Sequence, residues 1–192
     1  MNFTQQQLQS LCSIALAAGQ EIMAVYDNSG AVWQKEDASP LTEADLRADA
    51  VIRKGLEAAF PGTFILSEES CSVGAEPDDV FFLVDPLDGT KEFLKRNGEF
   101  TVNIALVQQG VPIAGVVYAP ALGELFYAAL GLGAWVQTGG CAPQALQVAP
   151  SLPTQPLRVI GSRSHGGDKL ATWPLGHLAR WLKLPAQLCG SR

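Results

Sequence analysis

A short apolar run that ends in acidic residues constrains the fold of this chain more than any other feature. Residues 80–84 are Val-Phe-Phe-Leu-Val, and residues 85–90 are Asp-Pro-Leu-Asp-Gly-Thr. Five consecutive apolar residues predict a strand that is buried on both faces. Because proline, aspartate and glycine are typical of turns and helix caps, we expect a tight turn at the carboxyl end of this strand.

The predicted turn brings two carboxylates together. Asp85 and Asp88 are separated by only two residues, and Pro86 restricts Asp85 to an extended conformation. Neighbouring anions destabilise each other unless a cation neutralises them, and Mg²⁺ prefers hard oxygen ligands of this kind. Gly89 allows a close backbone approach, and Thr90 is suited to cap a short helix. The segment therefore predicts a Mg²⁺ site, and the alternative is an ordinary turn and helix cap without a ligand.

The acidic segment resembles the metal-binding motif of the inositol monophosphatase superfamily of Mg²⁺-dependent phosphatases. The longer run of residues 85–93, with its continuation through residues 95–106, resembles the CysQ-type 3′(2′),5′-bisphosphate nucleotidases of that superfamily. Inositol monophosphatases usually carry Thr-Asn or Ala-Asn where this chain has Lys91 and Glu92. The resemblance implies an α+β or α/β layered sandwich with the layers α/β/α/β/α. It also implies hydrolysis of the 3′-phosphate of adenosine 3′,5′-bisphosphate to give AMP, a reaction linked to sulfur assimilation.

Two helices are predicted before the acidic segment. The first begins after Thr4, which has a capping-box partner at Gln7, and it ends near residues 28–30. The second begins after Thr42, for which Asp45 is the capping-box partner, and it ends before Pro61-Gly62. In this second helix we expect Asp49 and Arg53 on the outer face. The buried face is expected to consist of Ala50, Val51, Leu56 and Phe60.

Strands are predicted on both sides of the acidic segment. The strand at residues 63–67 is followed by Glu68 and Glu69. Considered alone, two acids at the end of a strand predict only a solvated turn. If this strand lies beside residues 80–84, one of these acids would reach the same cation. After the segment we expect an antiparallel meander, with its apolar face on the two helices. Its strands are predicted at residues 100–107, 113–118, 124–129 and 134–137.

The resemblance assigns a role to each candidate site residue. Asp45, which read alone is equally well explained by capping, would orient the attacking water together with Thr90. The first Mg²⁺ would be held by Glu68, Asp85 and the carbonyl of Leu87. Asp85 and Asp88 would hold a second ion, and the family implies two or three ions in all. Contacts to the substrate would come from Glu68, Leu87, Asp88, Gly89, Thr90 and Arg163.

Arg163 belongs to a segment after the predicted meander. Residues 157–160 predict a strand, and residues 161–165 are Gly-Ser-Arg-Ser-His. A strand that leads into glycine, serine and arginine is a weak indication of a phosphate-contacting loop. The nucleotidases have a similar segment at this place, and the Arg163 guanidinium is suited to a bidentate phosphate contact.

Composition and charge limit the kinds of binding partner and the cellular location that we expect. The 192 residues carry a formal net charge of −6, which argues against a nucleic-acid binder and requires an anionic nucleotide substrate to be attracted locally. No signal peptide and no apolar run of transmembrane length is recognised. We expect a cytoplasmic location, with a peripheral position on the cytoplasmic face of the inner membrane as an alternative. The oligomeric state is left open.

The end of the chain departs from the family pattern. We expect residues 1–150 to form an N-terminal α+β metal-binding phosphatase subdomain, and residues 151–192 the start of an incomplete C-terminal α/β subdomain. From Trp173 onward, the Gly-Ser-Ser-Leu-Lys-like and Trp-Asp-x-Ala segments of the family are not recognised. The second α/β half is therefore expected to be largely missing through truncation or a frameshift, and activity is in doubt. Two alternatives stay open, an inositol- or sugar-phosphate phosphatase and an inactive protein that binds Mg²⁺ and phosphate.

Overall fold

The computed structural model describes six stretches of the chain. They are residues 3–28, 32–34, 40–70, 78–148, 157–159 and 179–181. The chain divides into two compact units, Met1–Gln147 and Val148–Arg192. The second unit contains a parallel pair of short strands, β10 (Leu157–Val159) and β11 (Ala179–Trp181). The functional assignment of residues 1–150 and 151–192 to two subdomains stays a prediction.

The described part of the first unit contains three helices and two sheets. The helices are α1 (Gln5–Asn28), α2 (Glu43–Ala59) and α3 (Thr90–Leu94). A small antiparallel pair consists of β1 (Val32–Gln34) and β2 (Pro40–Thr42). The main sheet has the spatial order β3 (Phe64–Ser67), β4 (Val80–Asp88), β5 (Thr101–Gln108), β6 (Val111–Ala119), β7 (Glu124–Ala129), β8 (Gly133–Thr138) and β9 (Gln144–Ala145). Only the β3–β4 pair within it is parallel, so the predicted meander is confirmed.

Helix α1 is a core helix of the first unit. The backbone N–H of Thr4 donates to Gln7 Oε1 at 2.9 Å, and the N–H of Gln7 donates to Thr4 Oγ1 at 3.2 Å, so the predicted capping box is present. By length and composition alone, this helix could cross a membrane. Its apolar side is nevertheless buried within the unit, which is the usual place of such a helix in a globular core. Fully buried positions are Leu8, Leu11, Ala15, Ala18 and Ile22.

One face of the main sheet forms the core with the two long helices. Helix α1 packs on β5, β6 and β7, and α2 packs on β4. The core side chains of the central strands alternate along each strand, as a half-buried sheet requires. They include Phe82, Val84, Val102, Ile104, Leu106 and Val116. On the opposite face Leu83 is 48% exposed and Val117 is 43% exposed. The prediction that residues 80–84 are buried on both faces is therefore wrong, because α1 and α2 cover a single face.

Helix α2 is rotated relative to the sequence prediction. Leu56 and Phe60 are buried as expected, whereas Ala50 is exposed and Val51 is half-buried. The buried face instead carries Ala44, Ala48 and Ile52, together with the acidic residues Asp45 and Asp49. The prediction that Asp49 faces outward is wrong, because a charged residue was taken as a marker of the solvent side. Here Asp49 has a hydrogen-bonding partner inside the unit, as buried polar groups require.

The acidic segment is a bulged strand instead of a tight turn. Strand β4 continues through Asp85 to Asp88 and so extends beyond the predicted end at Val84. Asp85 pairs with Asn103, and the next pair is Asp88 with Thr101, so β4 has one residue more than β5 over this interval. Pro86 lies within the bulge, where a residue without an N–H donor is tolerated.

Gly89, and not Thr90, caps the helix that follows. Thr90 is the first residue of α3, and Gly89 precedes it with φ 94° and ψ 37°. A Cβ atom at Gly89 would lie 2.8 Å from the carbonyl oxygen of Glu99 and 3.3 Å from Cα of Phe100. The glycine is therefore required both by its positive φ and by the close approach of the backbone before β5.

We expect Gly89→Ala to destabilise the protein more than a matched change at Gly110. Gly110 also has a positive φ of 76°, but no described atom lies within 4 Å of the position that its Cβ would take. Gly110→Ala should lower the free energy of unfolding by about 1–2 kcal/mol through φ alone. Gly89→Ala should lower it by about 2–5 kcal/mol, because the Glu99 carbonyl must also move. Urea unfolding of both variants measures the difference, and equal losses would contradict the steric explanation.

Candidate functional site

The parallel pairing of β3 with β4 brings the predicted acidic residues to one edge of the sheet. Ser67 at the end of β3 is in register with Val84. The backbone N–H of Glu68 then donates to the carbonyl of Val84 at 3.1 Å, which extends the pairing one step further. Since parallel strands end at the same edge, Glu68 follows β3 beside Asp85 of β4.

The bulge places Asp85 and Asp88 on the same face of the sheet. In a regular strand, two residues separated by three positions point to opposite faces. Here Asp85 is opposite Asn103 and Asp88 is opposite Thr101, and these two partners lie two positions apart on β5. The Thr101 hydroxyl is 3.1 Å from Asn103 Oδ1, as expected for side chains on a common face. The extra residue of the bulge thus turns the second carboxylate toward the first.

Asp85 is the electrostatic centre of this cluster. Its Oδ1 atom is buried and has no hydrogen-bond partner among the described residues. The pKa of the Asp85 carboxyl is raised to about 7, mainly by burial and then by the negative charges of Glu68, Asp88 and Asp45, while a backbone hydrogen bond from Leu87 lowers it in part. A buried carboxylate oxygen without a partner is costly, and a hard divalent cation would satisfy it. The residues present therefore fit a metal ion.

The complete ligand set stays a prediction. Within the part of the chain that the structure describes, no group of three or more acidic, histidine or cysteine residues is arranged to hold a metal ion as it stands. Glu68 and Asp88 are both exposed, and Asp88 Oδ2 accepts a hydrogen bond from Asn103 Nδ2 at 3.3 Å. Asn103 was not among the predicted site residues. It is the third residue of β5, and its place opposite Asp85 follows from the strand register, for which the sequence carried no signal.

Asp45 and Thr90 come together although 45 positions separate them. The N–H and the hydroxyl of Thr42 both donate to Asp45 Oδ2, at 2.8 and 2.5 Å, so the predicted capping box is present. The Thr90 hydroxyl lies 3.4 Å from Asp45 Oδ1 and 3.2 Å from the carbonyl oxygen of Leu87. Asp45 thus meets both the helix terminus and the acidic segment, while the catalytic role of the pair stays a prediction.

A second buried acid of α2 contacts the strand that leads to Glu68. The Ser67 hydroxyl donates to Asp49 Oδ1 at 2.5 Å, and both side chains are buried. This pair was not predicted from the sequence. The spacing of Asp45 and Asp49, one helical turn apart, was the signal that both lie on the same side of α2.

The remaining predicted contacts are only partly described. Arg163 lies outside the described residues, so its phosphate contact stays a prediction. Gly89 and Thr90 lie at the junction of β4 and α3, but α3 has only five residues. The dipole of so short a helix contributes little, so a phosphate group here would depend mainly on bound cations.

We expect the stability of the cation-free protein to depend on the protonation of Asp85. The ordinary value for this carboxyl is 3.8, and in the folded protein its pKa is about 7. The raised pKa means that protonation stabilises the folded state. This contribution is complete below about pH 4 and is lost as the pH rises through about 7. Asp85→Asn should remove it, so that the free energy of unfolding falls less between acidic and mildly alkaline pH.

Urea unfolding in the presence of a chelator, measured across this pH range, provides the test. Asp27→Asn is the matched control, since Asp27 is an exposed carboxylate at the end of α1. An unchanged pH dependence in Asp85→Asn would show that another group is responsible.

Comparison with known proteins places these features in a family. Residues 4–171 match the inositol monophosphatase family. The 3′(2′),5′-bisphosphate nucleotidase CysQ of Salmonella typhimurium is 48% identical over 170 residues, which cover 86% of this chain and 67% of that protein. The Escherichia coli CysQ is 48% identical over 168 residues, which cover 85% and 66%. The chain thus spans about two thirds of the length of these curated relatives.

Solved structures of inositol monophosphatase family proteins have the same fold as this chain. CysQ from Bacteroides thetaiotaomicron, a bacterial member of the inositol monophosphatase family, aligns with a TM-score of 0.70 at 31% identity over 93% of this chain and 72% of that one. The extragenic suppressor protein suhB from Bartonella henselae aligns with a TM-score of 0.68 at 30% identity, over 85% and 63%. Both predictions, the layered α/β fold and the CysQ-type resemblance, are confirmed. This chain belongs to the inositol monophosphatase family and is similar to its CysQ 3′(2′),5′-bisphosphate nucleotidases.

Proposed function

We propose that this chain is a Mg²⁺-dependent phosphomonoesterase that removes the 3′-phosphate of adenosine 3′,5′-bisphosphate to give AMP. The observation that carries the proposal is the buried Asp85 oxygen, which lacks a partner among the described residues and lies near Glu68 and Asp88. The substrate class comes from the similarity to proteins named 3′(2′),5′-bisphosphate nucleotidase. The proposed activity is that of a phosphoric monoester hydrolase in sulfur metabolism.

The cation site that we propose uses the acidic edge of the sheet. Glu68, Asp85 and the Leu87 carbonyl would hold one Mg²⁺. Asp85 and Asp88 would hold a second, with two or three ions in total. When bound, Mg²⁺ supplies Lewis-acid chemistry, since it neutralises negative charge on a phosphate and makes water more acidic. The negative charges that raise the pKa of Asp85 support this arrangement, because a cation relieves all of them at once.

Asp45 and Thr90 would position the attacking water and accept its proton. The Thr90 hydroxyl has one proton and two acceptors within reach, Asp45 Oδ1 and the Leu87 carbonyl. If the Leu87 carbonyl binds a cation, Asp45 Oδ1 is the acceptor that remains for the proton of the Thr90 hydroxyl. The lone pairs of Thr90 Oγ1 can then accept a hydrogen bond from water. A proton would pass from that water through Thr90 to Asp45, and no covalent nucleophile is required.

Phosphate recognition would be local, because the chain as a whole is acidic. The backbone N–H groups of Gly89 and Thr90 and the guanidinium of Arg163 are the proposed direct contacts. Glu68, Leu87 and Asp88 would contribute through bound cations. We propose a cytoplasmic location for the reaction, and no described residue supports the alternative of a peripheral membrane position.

We expect Mg²⁺ to stabilise the folded protein. A ligand that binds only the native state raises the free energy of unfolding, by about 2.7 kcal/mol at one hundred times its Kd. Asp85→Asn should abolish this effect, whereas Asp78→Asn should not, since Asp78 is an exposed acid just before β4. Thermal melts with and without Mg²⁺ provide the measurement. A parent protein whose melting temperature does not respond to millimolar Mg²⁺ would rule out the site.

We expect the protein to prefer a bisphosphorylated nucleotide to an inositol phosphate. Mg²⁺-dependent phosphate release from adenosine 3′,5′-bisphosphate should exceed release from inositol 1-phosphate by about 100-fold in kcat/KM, because nucleotide contacts would be left unmade by inositol. Asp45→Asn should lower kcat for the nucleotide by about 10²–10⁴-fold, as expected for loss of a general base. Equal or reversed rates would favour an inositol- or sugar-phosphate phosphatase. Mg²⁺ binding without release from either substrate would favour the inactive binding protein.

A further inference from the structure

Helix α2 presents three polar residues toward the acidic edge of the sheet, each one helical turn after the last. They are Asp45, Asp49 and Arg53, and residues four apart lie on the same side of a helix. Asp45 belongs to the proposed proton-accepting pair. Asp49 and Arg53 have no place in the proposed chemistry, yet both contact the short segment Ser67–Ser70 that carries Glu68.

The first contact is buried. The Ser67 hydroxyl donates to Asp49 Oδ1 at 2.5 Å, with Ser67 2% exposed and Asp49 6% exposed. The same Ser67 Oγ atom lies 3.5 Å from the backbone N–H of Glu69, which donates to it. Hydrogen bonds to a charged group shielded from water are among the stronger ones in proteins. Ser67 is thereby fixed on the side of the strand that faces α2.

The second contact holds the far end of the same segment. Arg53 Nη1 donates to the Ser70 hydroxyl at 3.1 Å, and Arg53 Nη2 lies 3.8 Å from Glu57 Oε1 on the next turn of α2. This contact is more exposed than the first, so it contributes less on its own. Together the two contacts attach both ends of the segment Ser67–Ser70 to one rigid helix.

The segment so attached determines where Glu68 lies. Strand β3 ends at Ser67, and Glu68 is the first residue of the turn that follows, so a fixed Ser67 fixes the point at which this turn begins. The backbone N–H of Glu68 donates to the Val84 carbonyl at 3.1 Å, directly before Asp85 on β4. A shift of Ser67 would therefore alter the position of Glu68 relative to Asp85.

We propose that Asp49 and Arg53 form a clamp that positions Glu68 against Asp85, and that they are positioning residues and not catalytic ones. The consequence for Mg²⁺ rests on the proposed function, whereas the local fixation of the segment does not. Groups behind a metal ligand typically change metal affinity by about 10–100-fold when they are removed. Ser67 is the connecting residue, because it links the buried carboxylate of Asp49 to the backbone of Glu69.

The experiment compares the full chain with Ser67→Ala, which removes the hydroxyl, and Ser67→Thr, which keeps one. Ser10→Ala is the matched control, since the Ser10 hydroxyl donates to a backbone carbonyl on the exposed side of α1. The first readout is amide hydrogen exchange at Glu68, Glu69 and Ser70 without divalent cation. The second is the Kd for Mg²⁺ from titration calorimetry. In Ser67→Ala, exchange at these amides should be about tenfold faster, and the Kd for Mg²⁺ should be about 10–100-fold higher. Ser67→Thr should restore both, and Ser10→Ala should change neither.

Each outcome decides a separate question. If Ser67→Ala lowers the melting temperature but leaves local exchange and Mg²⁺ affinity unchanged, Ser67 is merely structural and the clamp is overturned. If the parent chain binds no Mg²⁺, the proposed function fails, while the exchange measurement still decides whether the clamp exists. Ser70→Ala serves if Ser67→Ala does not fold, because Ser70 is exposed and its loss removes only the Arg53 contact. It should accelerate exchange at the same amides by a smaller factor, and unchanged exchange would overturn the clamp.

Discussion

The rest of this site depends on one unfavourable arrangement, the burial of the Asp85 carboxyl among other acids. One of its oxygens has no hydrogen-bond partner within the described part of the chain, and three neighbouring carboxylates increase the cost of its ionisation. A fold tolerates such a group only when the core compensates elsewhere. Here the compensation comes from the two helices packed on one face of the sheet. A cation bound at the acidic edge would therefore lower this cost.

The bulge in β4 makes this arrangement possible. A tight turn after Val84, as predicted, would have taken Asp85 and Asp88 out of the sheet together. The bulged strand instead keeps Asp85 in register with Asn103 and brings Asp88 to the same face. Pro86 fits there because it has no hydrogen to donate to the ladder. The Asp-Pro-x-Asp spacing therefore fits the geometry of the bulge and also brings two carboxylates to the same face of the sheet.

Local patterns made much of the fold predictable. The capping box of Thr42 and Asp45 and the alternation in the meander depend on neighbouring residues, so the sequence alone was sufficient. Asp49 was misplaced because its charge was taken as a marker of the solvent side, whereas its burial depends on Ser67, a partner 18 positions away. The family resemblance brought Glu68 and Asp45 into the candidate site. It assigned no role to Asn103 or to the Asp49–Ser67 pair, because the first depends on the register of the sheet and the second on the packing of α2.

Helix α2 connects the stability of the core to the geometry of the site. Its apolar residues Ala48 and Ile52 are fully buried, so the helix is fixed in place by packing. Its polar residues then contact two separate parts of the site, Thr90 through Asp45 and the Glu68 segment through Asp49. Because a helix of this length is rigid and rises about 6 Å over four residues, these contacts are held at a constant spacing. A cavity in the core beneath α2 would therefore displace the Asp45–Thr90 pair and the Glu68 segment together. If both have the roles proposed above, changes in this core should alter metal affinity and activity in parallel.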